Sequence, residues 1–228
     1  MTDAGASRPR EVGVWAVICD FGGVLSSPLV GGFLAVQERS GASVEQLSAA
    51  MASVAEARGR HPLYDLEIGL IPEADFLRML EQELGGEVTL HGFRDVFFSA
   101  LHPNRELIDY MAELRRRGLR MAILTNNVRE WEELWRAKLP DLERTFEVVV
   151  DSSWVGIRKP DPEIYLLTVE RLGRGLRPEE CLFIDDTEAN CEAARSLGMR
   201  AVHFTDNAQA IPEVEAELAA SGATEMTR

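Results

Sequence analysis

The chain has 228 residues, enough to bury a sizeable core and to hold one domain with an insertion. Its 38 acidic and 24 basic residues give a net charge of −14, which argues against a nucleic-acid partner, because that needs a basic face. No apolar run approaches the roughly 18 residues of a membrane span, and three cysteines without a spacing motif suit reduced thiols, so a cytoplasmic protein, monomer or homodimer, is expected.

Residues 1–10 are polar, lack a signal-peptide pattern and are expected to be a disordered tail, as are residues 221–228. Val14–Cys19 is a continuous apolar run, the pattern of a central parallel strand. Asp20 ends it, and Phe21-Gly22-Gly23-Val24-Leu25 follows, with two glycines that permit a tight turn. An aspartate there can act as a nucleophile or simply cap the turn. Residues 26–100 read as helices only. Ser43 with Gln46 forms a capping box, and Pro72 opens a helix carrying Phe76, Leu77, Leu80 and Leu84. Glu67-Ile68-Gly69 reads as a turn in this stretch. Leu107, Met111 and Leu114 mark one face of a helix that stops at Gly118.

Strands are then expected at Leu119–Leu124, Phe146–Val150, Cys181–Ile184 and Arg200–Phe204, separated by helical patterns. This βαβα alternation predicts a doubly wound α/β fold with a parallel sheet. Thr125, Asn126 and Asn127 follow the second strand, where hydroxyl and amide groups can bind phosphate or cap an ordinary turn. The Arg115-Arg116-Arg117 run reads as a solvated helix end, and Trp131 and Trp135, four apart, read as packing. In Arg158-Lys159-Pro160-Asp161-Pro162 the prolines stiffen the loop, Asp161 is the expected N-cap, and Lys159 is either a charge clamp or a surface lysine. Ala189, Ala193 and Leu197 are the expected apolar face of the helix before Gly198. His61, His91, His102 and His203 lack metal-ligand spacing. Asp185 and Asp186 end the strand Cys181–Ile184. Two adjacent carboxylates there favour a divalent cation, and oxygen ligands suit Mg²⁺.

Asp20-Phe-Gly-Gly-Val-Leu, Leu124-Thr125-Asn126, Arg158-Lys159-Pro160 and Phe183-Ile-Asp185-Asp186-Thr-Glu-Ala-Asn190, in this order, resemble the haloacid dehalogenase superfamily over nearly the whole chain. The resemblance implies a Rossmann-like core, from residues 11–25 and 101–220, and an α-helical cap inserted at 26–100. It also implies Mg²⁺-dependent hydrolysis of a small phosphorylated metabolite, such as a sugar phosphate, through an aspartyl-phosphate. By the same resemblance Asp20 is nucleophile and metal ligand. Thr125, Asn126 and Lys159 bind the phosphoryl group, with Thr125 and Lys159 catalytic. The metal takes Asp20, the Gly22 carbonyl, Asp186 and Asp185, and Asn190 supports them. Most phosphatases of the superfamily carry a second Asp where this chain has Gly22, so the proton donor to the leaving group is open, with Glu67 or Asp65 as candidates. The pattern at Gly22-Gly23-Val24 is similar to that of the phosphatase domain of soluble epoxide hydrolases and of some bacterial sugar-phosphate phosphatases. It does not match the dehalogenase pattern, which also lacks the acidic pair. A catalytically weak phosphate-binding or regulatory protein on the same fold is the alternative.

Overall fold

The computed structural model describes residues 13–221, apart from 87 and 140. Its centre is β1 (Ala16–Cys19), every residue of which is buried. Parallel pairing joins β1 to β2 (Arg120–Thr125) and β4 (Cys181–Asp185), and these to the outer strands β3 (Val148–Asp151) and β5 (Arg200–His203). The order is β3-β2-β1-β4-β5. The order reverses at β1, which makes its carboxyl end the topological switch point where open α/β sheets bind ligands.

Between β1 and β2 the chain forms α1 (Val30–Ser40), α2 (Val44–Arg58), α3 (Pro62–Glu67), α4 (Glu73–Glu83), α5 (Phe93–Ser99) and α6 (Arg105–Arg116). Ser43 and Gln46 make the capping box that starts α2. Asn104 caps α6, whose Leu107, Met111 and Leu114 are buried. Short helices α7 (Glu132–Arg136) and α8 (Leu142–Thr145) precede β3, and α9 (Ser152–Val155) and α10 (Pro162–Leu172) follow it. Asp161 caps α10 with Pro162 behind it, as the loop chemistry predicts. The chain ends with α11 (Glu188–Ser196) after β4 and α12 (Asn207–Ala220) after β5.

Alternate residues of β1 feed two cores. Val17 and Cys19 pack with α6 and α12, and Ala16 and Ile18 pack with α10 and α11. A parallel sheet covered on both faces is why β1 is apolar at every position and β2 and β4 carry polar residues only at their ends. The first of these cores is continuous with the inside of α1–α5, through Phe76, Leu80, Phe93 and Phe97.

Several details differ from expectation. Thr125 and Asp185 belong to their strands rather than following them, while Phe146 and Phe204 lie outside theirs. The buried face of α11 is Asn190, Cys191 and Ala194, and Ala189 is exposed, because the Asn190 amide turns inward to Asp185. Of the three arginines, Arg117 is no solvated end: it makes two bonds to Glu215 of α12, at 2.5 and 3.2 Å. Ser221 is buried, with its hydroxyl donating to the Leu218 carbonyl; the rest of the expected tails, 1–10 and 222–228, lies outside the described residues.

Candidate active site

Asp20 continues β1 by one residue, its amide donating to the Ile184 carbonyl at 2.9 Å. The chain then turns through Gly23 at φ +75°, and a Cβ there would collide with the Asp186 carboxylate. Only glycine meets both demands, so this turn lets two strand ends bring Asp20 and Asp186 together.

Lys159 reaches the same point from the loop after β3. Its side chain is buried, with Nζ 2.8 Å from Asp20 Oδ1 and 2.6 Å from Asp185 Oδ2. Asn126 fixes it there: Oδ1 accepts from the Lys159 amide at 2.8 Å, and Nδ2 donates to the Lys159 carbonyl at 3.0 Å. Asn126 was expected to bind phosphate, but both ends of its amide are engaged with the lysine backbone. Thr125 is buried at the end of β2 and lines the same cavity as Asp20.

The two adjacent acids differ in their surroundings. Asp185 is fully buried and accepts from Lys159 Nζ, the Thr187 amide at 2.9 Å and Asn190 Nδ2 at 2.9 Å. Tyr165 in turn donates to the Asn190 carbonyl at 3.0 Å. Asp186 is exposed; its side chain has one weak hydroxyl contact, from Thr187 at 3.4 Å, and its carbonyl meets His203 Nε2 at 2.9 Å.

One carboxylate oxygen from each of Asp20, Asp185 and Asp186 lies within 4.8 Å of the others. The buried Asp20 Oδ1 has the Lys159 ammonium, at 2.8 Å, as its neighbouring cation. Burial, against the pull of Lys159 and with Asp185 repelling, pushes the Asp20 carboxyl up to about 7. Burial and the neighbouring Asp185 also raise Asp186. Burial works against the Lys159 ammonium, but Asp185 and Asp20 outweigh it and hold its pKa above the ordinary value. Three carboxylates around one ammonium and an all-oxygen donor set fit a hard divalent cation such as Mg²⁺. Among the described residues no histidine joins this cluster.

A cavity of about 540 Å³ opens above Asp20, between the sheet edge and α1–α5. A Cβ on Gly22 would meet Leu29 Cδ1 at 3.2 Å, so the place of a second acid is filled by an apolar side chain. Two tryptophans that the sequence suggests are packing divide here. Trp135 is fully buried against Phe21, with rings 5.4 Å apart, whereas Trp131 lines the cavity and donates to Glu73 of α4 at 2.8 Å.

The end of α3 is more than a turn. Glu67 Oε2 accepts from Arg158 Nε at 2.6 Å, and the Glu67 carbonyl accepts from the Ser152 hydroxyl at 2.5 Å. The Ser152 oxygen also accepts from the Asn127 amide at 3.1 Å, and the Arg158 guanidinium lies 4.0 Å from the centre of the Tyr64 ring. Burial raises the Glu67 carboxyl, with Arg158 opposing. Asp65, the other candidate proton donor, is buried and paired with Arg60 at 2.7 Å, and does not line the cavity. Of these contacts, the sequence signal for Glu67 and Arg158 was only their charge.

A family model for haloacid dehalogenase-like hydrolases matches residues 16–198. The chain belongs to this family. It is 30% identical over 177 residues to the phosphorylated carbohydrates phosphatase of Thermotoga maritima, covering 72% of this chain and 81% of that protein. It is also 30% identical over 118 residues to bifunctional epoxide hydrolase 2 of Rattus norvegicus, covering 49% of this chain and only 20% of the rat protein. A haloacid dehalogenase family enzyme of Bacteroides thetaiotaomicron, solved with magnesium and inorganic phosphate, superposes with a TM-score of 0.65 at 23% identity, over 86% of this chain and 96% of that one. This haloacid dehalogenase-like protein is thus a hydrolase with phosphatases among its relatives, and its fold is theirs.

Proposed function

We propose that this protein is a Mg²⁺-dependent phosphomonoesterase that works through an aspartyl-phosphate on Asp20. The observation that carries the proposal is the buried Lys159, shared between Asp20 and Asp185 beneath the cavity, with Asp186 alongside. Asp20 is the nucleophile: one carboxylate oxygen bonds to phosphorus as the bond to the leaving alkoxide breaks. Lys159 neutralises the phosphoryl oxygens and orients Asp20, and the Thr125 hydroxyl donates to one of them. Water then attacks the acyl phosphate and frees Asp20 and inorganic phosphate. Asn126 and Asn190 position Lys159 and Asp185 respectively. Asp20, Asp186 and the Gly22 carbonyl would hold the Mg²⁺, with Asp185 beside them; bound there, it supplies charge that offsets the phosphoryl oxygens.

Residues 26–100 act as the cap over the core, excluding water and choosing the substrate, a small phosphorylated metabolite. The free, buried cysteines suit a reducing compartment such as the cytoplasm. The test is phosphate release from a phosphomonoester panel, with Mg²⁺ or EDTA, by the wild type and Asp20→Asn. Turnover in EDTA or by the variant rejects the mechanism. Gly22 favours a second reading, a weakly catalytic phosphate-binding protein. Tight phosphate binding without release from any ester, acyl phosphates included, would select it.

A further inference from the structure

The walls of the cavity above Asp20 carry a substrate preference. Beyond the nucleophile end they are apolar and aromatic: Leu29, Phe33 of α1 and Met51 of α2 are half-buried there, with Leu47, Phe76, Phe97 and Trp131 buried behind them. Phe33 meets Phe97 edge-on at 5.1 Å, and Phe97 lies 5.5 Å from Trp131, so three rings form a continuous surface. Leu29 extends it to Gly22, beside the nucleophile.

The polar liners gather at the nucleophile end and beside α3, and several of their atoms are already engaged. Arg158 and Glu67 are bonded to each other at 2.6 Å. The Asn126 amide is spent on the Lys159 backbone, and Asn127 Oδ1 accepts from the Val128 amide at 2.9 Å. A polyol placed against the aromatic wall would bury hydroxyl groups without partners, at a loss of roughly tenfold or more in affinity for each. An alkyl chain or aromatic ring would lose only water. Cavities of about 300–1,000 Å³ take whole drug-sized ligands, so about 540 Å³ holds a phosphoryl group and a long hydrocarbon.

We infer that the substrate is a phosphomonoester of a long apolar alcohol, a chain of roughly eight to ten carbons or an aromatic body of similar size, rather than a sugar phosphate. This rests on the phosphatase reading of Asp20 and Lys159, and assigns the alcohol half of that substrate to the chamber of α1–α5.

The experiment measures kcat/KM for ethyl, butyl, hexyl, octyl and decyl phosphate and glucose 6-phosphate, with acetyl phosphate as a reactive control, on the full chain with Mg²⁺. Calorimetry compares decylphosphonate with methylphosphonate, which bind without turnover. The expected result is a rise of about threefold per methylene, near a thousandfold from butyl to decyl, with hexyl phosphate well ahead of glucose 6-phosphate. Decylphosphonate should bind at least a hundredfold more tightly than methylphosphonate, with a negative heat-capacity change. Met51→Glu, which puts a charge on the far wall, should collapse the decyl-to-ethyl ratio at least thirtyfold; a circular-dichroism melt confirms the variant is folded, and the phosphonate comparison needs no variant. A flat series, or glucose 6-phosphate ahead of hexyl phosphate, with acetyl phosphate still hydrolysed, overturns the inference and leaves the phosphatase reading intact. Silence on every ester, acetyl phosphate included, sinks the phosphatase reading, and the phosphonate comparison then decides the chamber alone.

Discussion

Replacing Lys159 with methionine keeps its aliphatic length and removes one positive charge from a buried cluster. The ammonium lies 2.8 Å from Asp20 and 2.6 Å from Asp185; Lys159 and Asp185 are fully buried, and the Asp20 side chain is 11% exposed. Removing one partner of a buried ionic network costs about 3–5 kcal/mol, because the remaining charges stay desolvated and unpaired. For a chain of this size each kcal/mol moves the melting temperature by roughly 2–4 °C, so metal-free Lys159→Met should melt about 6–20 °C below wild type. The same three carboxylates, freed of the lysine, should then hold a divalent cation more tightly. Saturation at about a hundred times Kd stabilises by about 2.7 kcal/mol, so the rise in melting temperature on adding Mg²⁺ should be larger in the variant than in wild type. Activity should still fall by roughly 10² to 10³, since no cation other than the metal would face the phosphoryl oxygens. Differential scanning calorimetry with and without Mg²⁺, together with kcat/KM on acetyl phosphate, reads all three effects. A metal-free melting temperature and a rate both near wild type would refute the reasoning, because the ammonium would then be contributing neither to the cluster nor to the substrate.

Asp20→Asn should lose phosphate release and also the acid-trapped, radiolabelled protein that a covalent acyl phosphate leaves in wild type; label retained in the variant would move the nucleophile elsewhere. Gly22→Asp is compatible with the backbone (φ −70°, ψ 122°) and needs Leu29 to give by a few tenths of an ångström. It should raise turnover of alkyl phosphates by roughly 10² or more while leaving aryl and acyl phosphates little changed, and equal effects on both would show that proton donation does not limit the wild type. Glu67 is raised in the folded state mainly by burial, so its contribution to stability is present below the ordinary glutamate pKa and is lost as pH rises through the folded value. Glu67→Gln keeps a hydrogen-bond acceptor for Arg158 and should flatten the decline in melting temperature between about pH 4.5 and neutrality; identical slopes in both proteins would exclude that origin.

The strands were legible because central parallel strands are apolar through their middles, and β1, β2 and β4 read that way without reference to any partner. Helix starts were legible where a side chain satisfies its own backbone, as at Ser43 and Asp161, since those bonds are local. The acidic pair and Lys159 could be assigned to one edge of the sheet, yet their division of labour could not. Asp185 and Asp186 are identical in sequence terms, and only the inward turn of Asn190 and Lys159 makes the first a buried acceptor and leaves the second open. The direction of the Asn126 side chain was equally illegible: its amide faces the backbone of a loop 33 residues away. The chamber was invisible, because Phe33, Leu47, Phe97 and Trp131 announce burial but not that they bury a hollow. Packing of α1 on α5 creates it, with Gly32 so close to Phe97 that a Cβ would sit 2.5 Å from the ring.

One loop meets both α3 and the carboxylate cluster. Arg158 is bonded to Glu67 at the end of α3, and the next residue, Lys159, holds Asp20 and Asp185. The carbonyl of the same Glu67 takes the Ser152 hydroxyl, whose oxygen takes the Asn127 amide, two residues beyond Thr125. Glu67 thus meets the segment 152–158 directly and the turn at Asn127 through Ser152. Withdrawing α3 would break the Arg158 and Ser152 contacts together, while the Ser152–Asn127 bond lies within the core. A chain of net charge −14 gains most from such coupling, because its own field repels an anionic substrate and only local cations oppose it. With α3 in place, Arg158 is paired with Glu67, and Lys159 is the buried cation at the floor of the chamber.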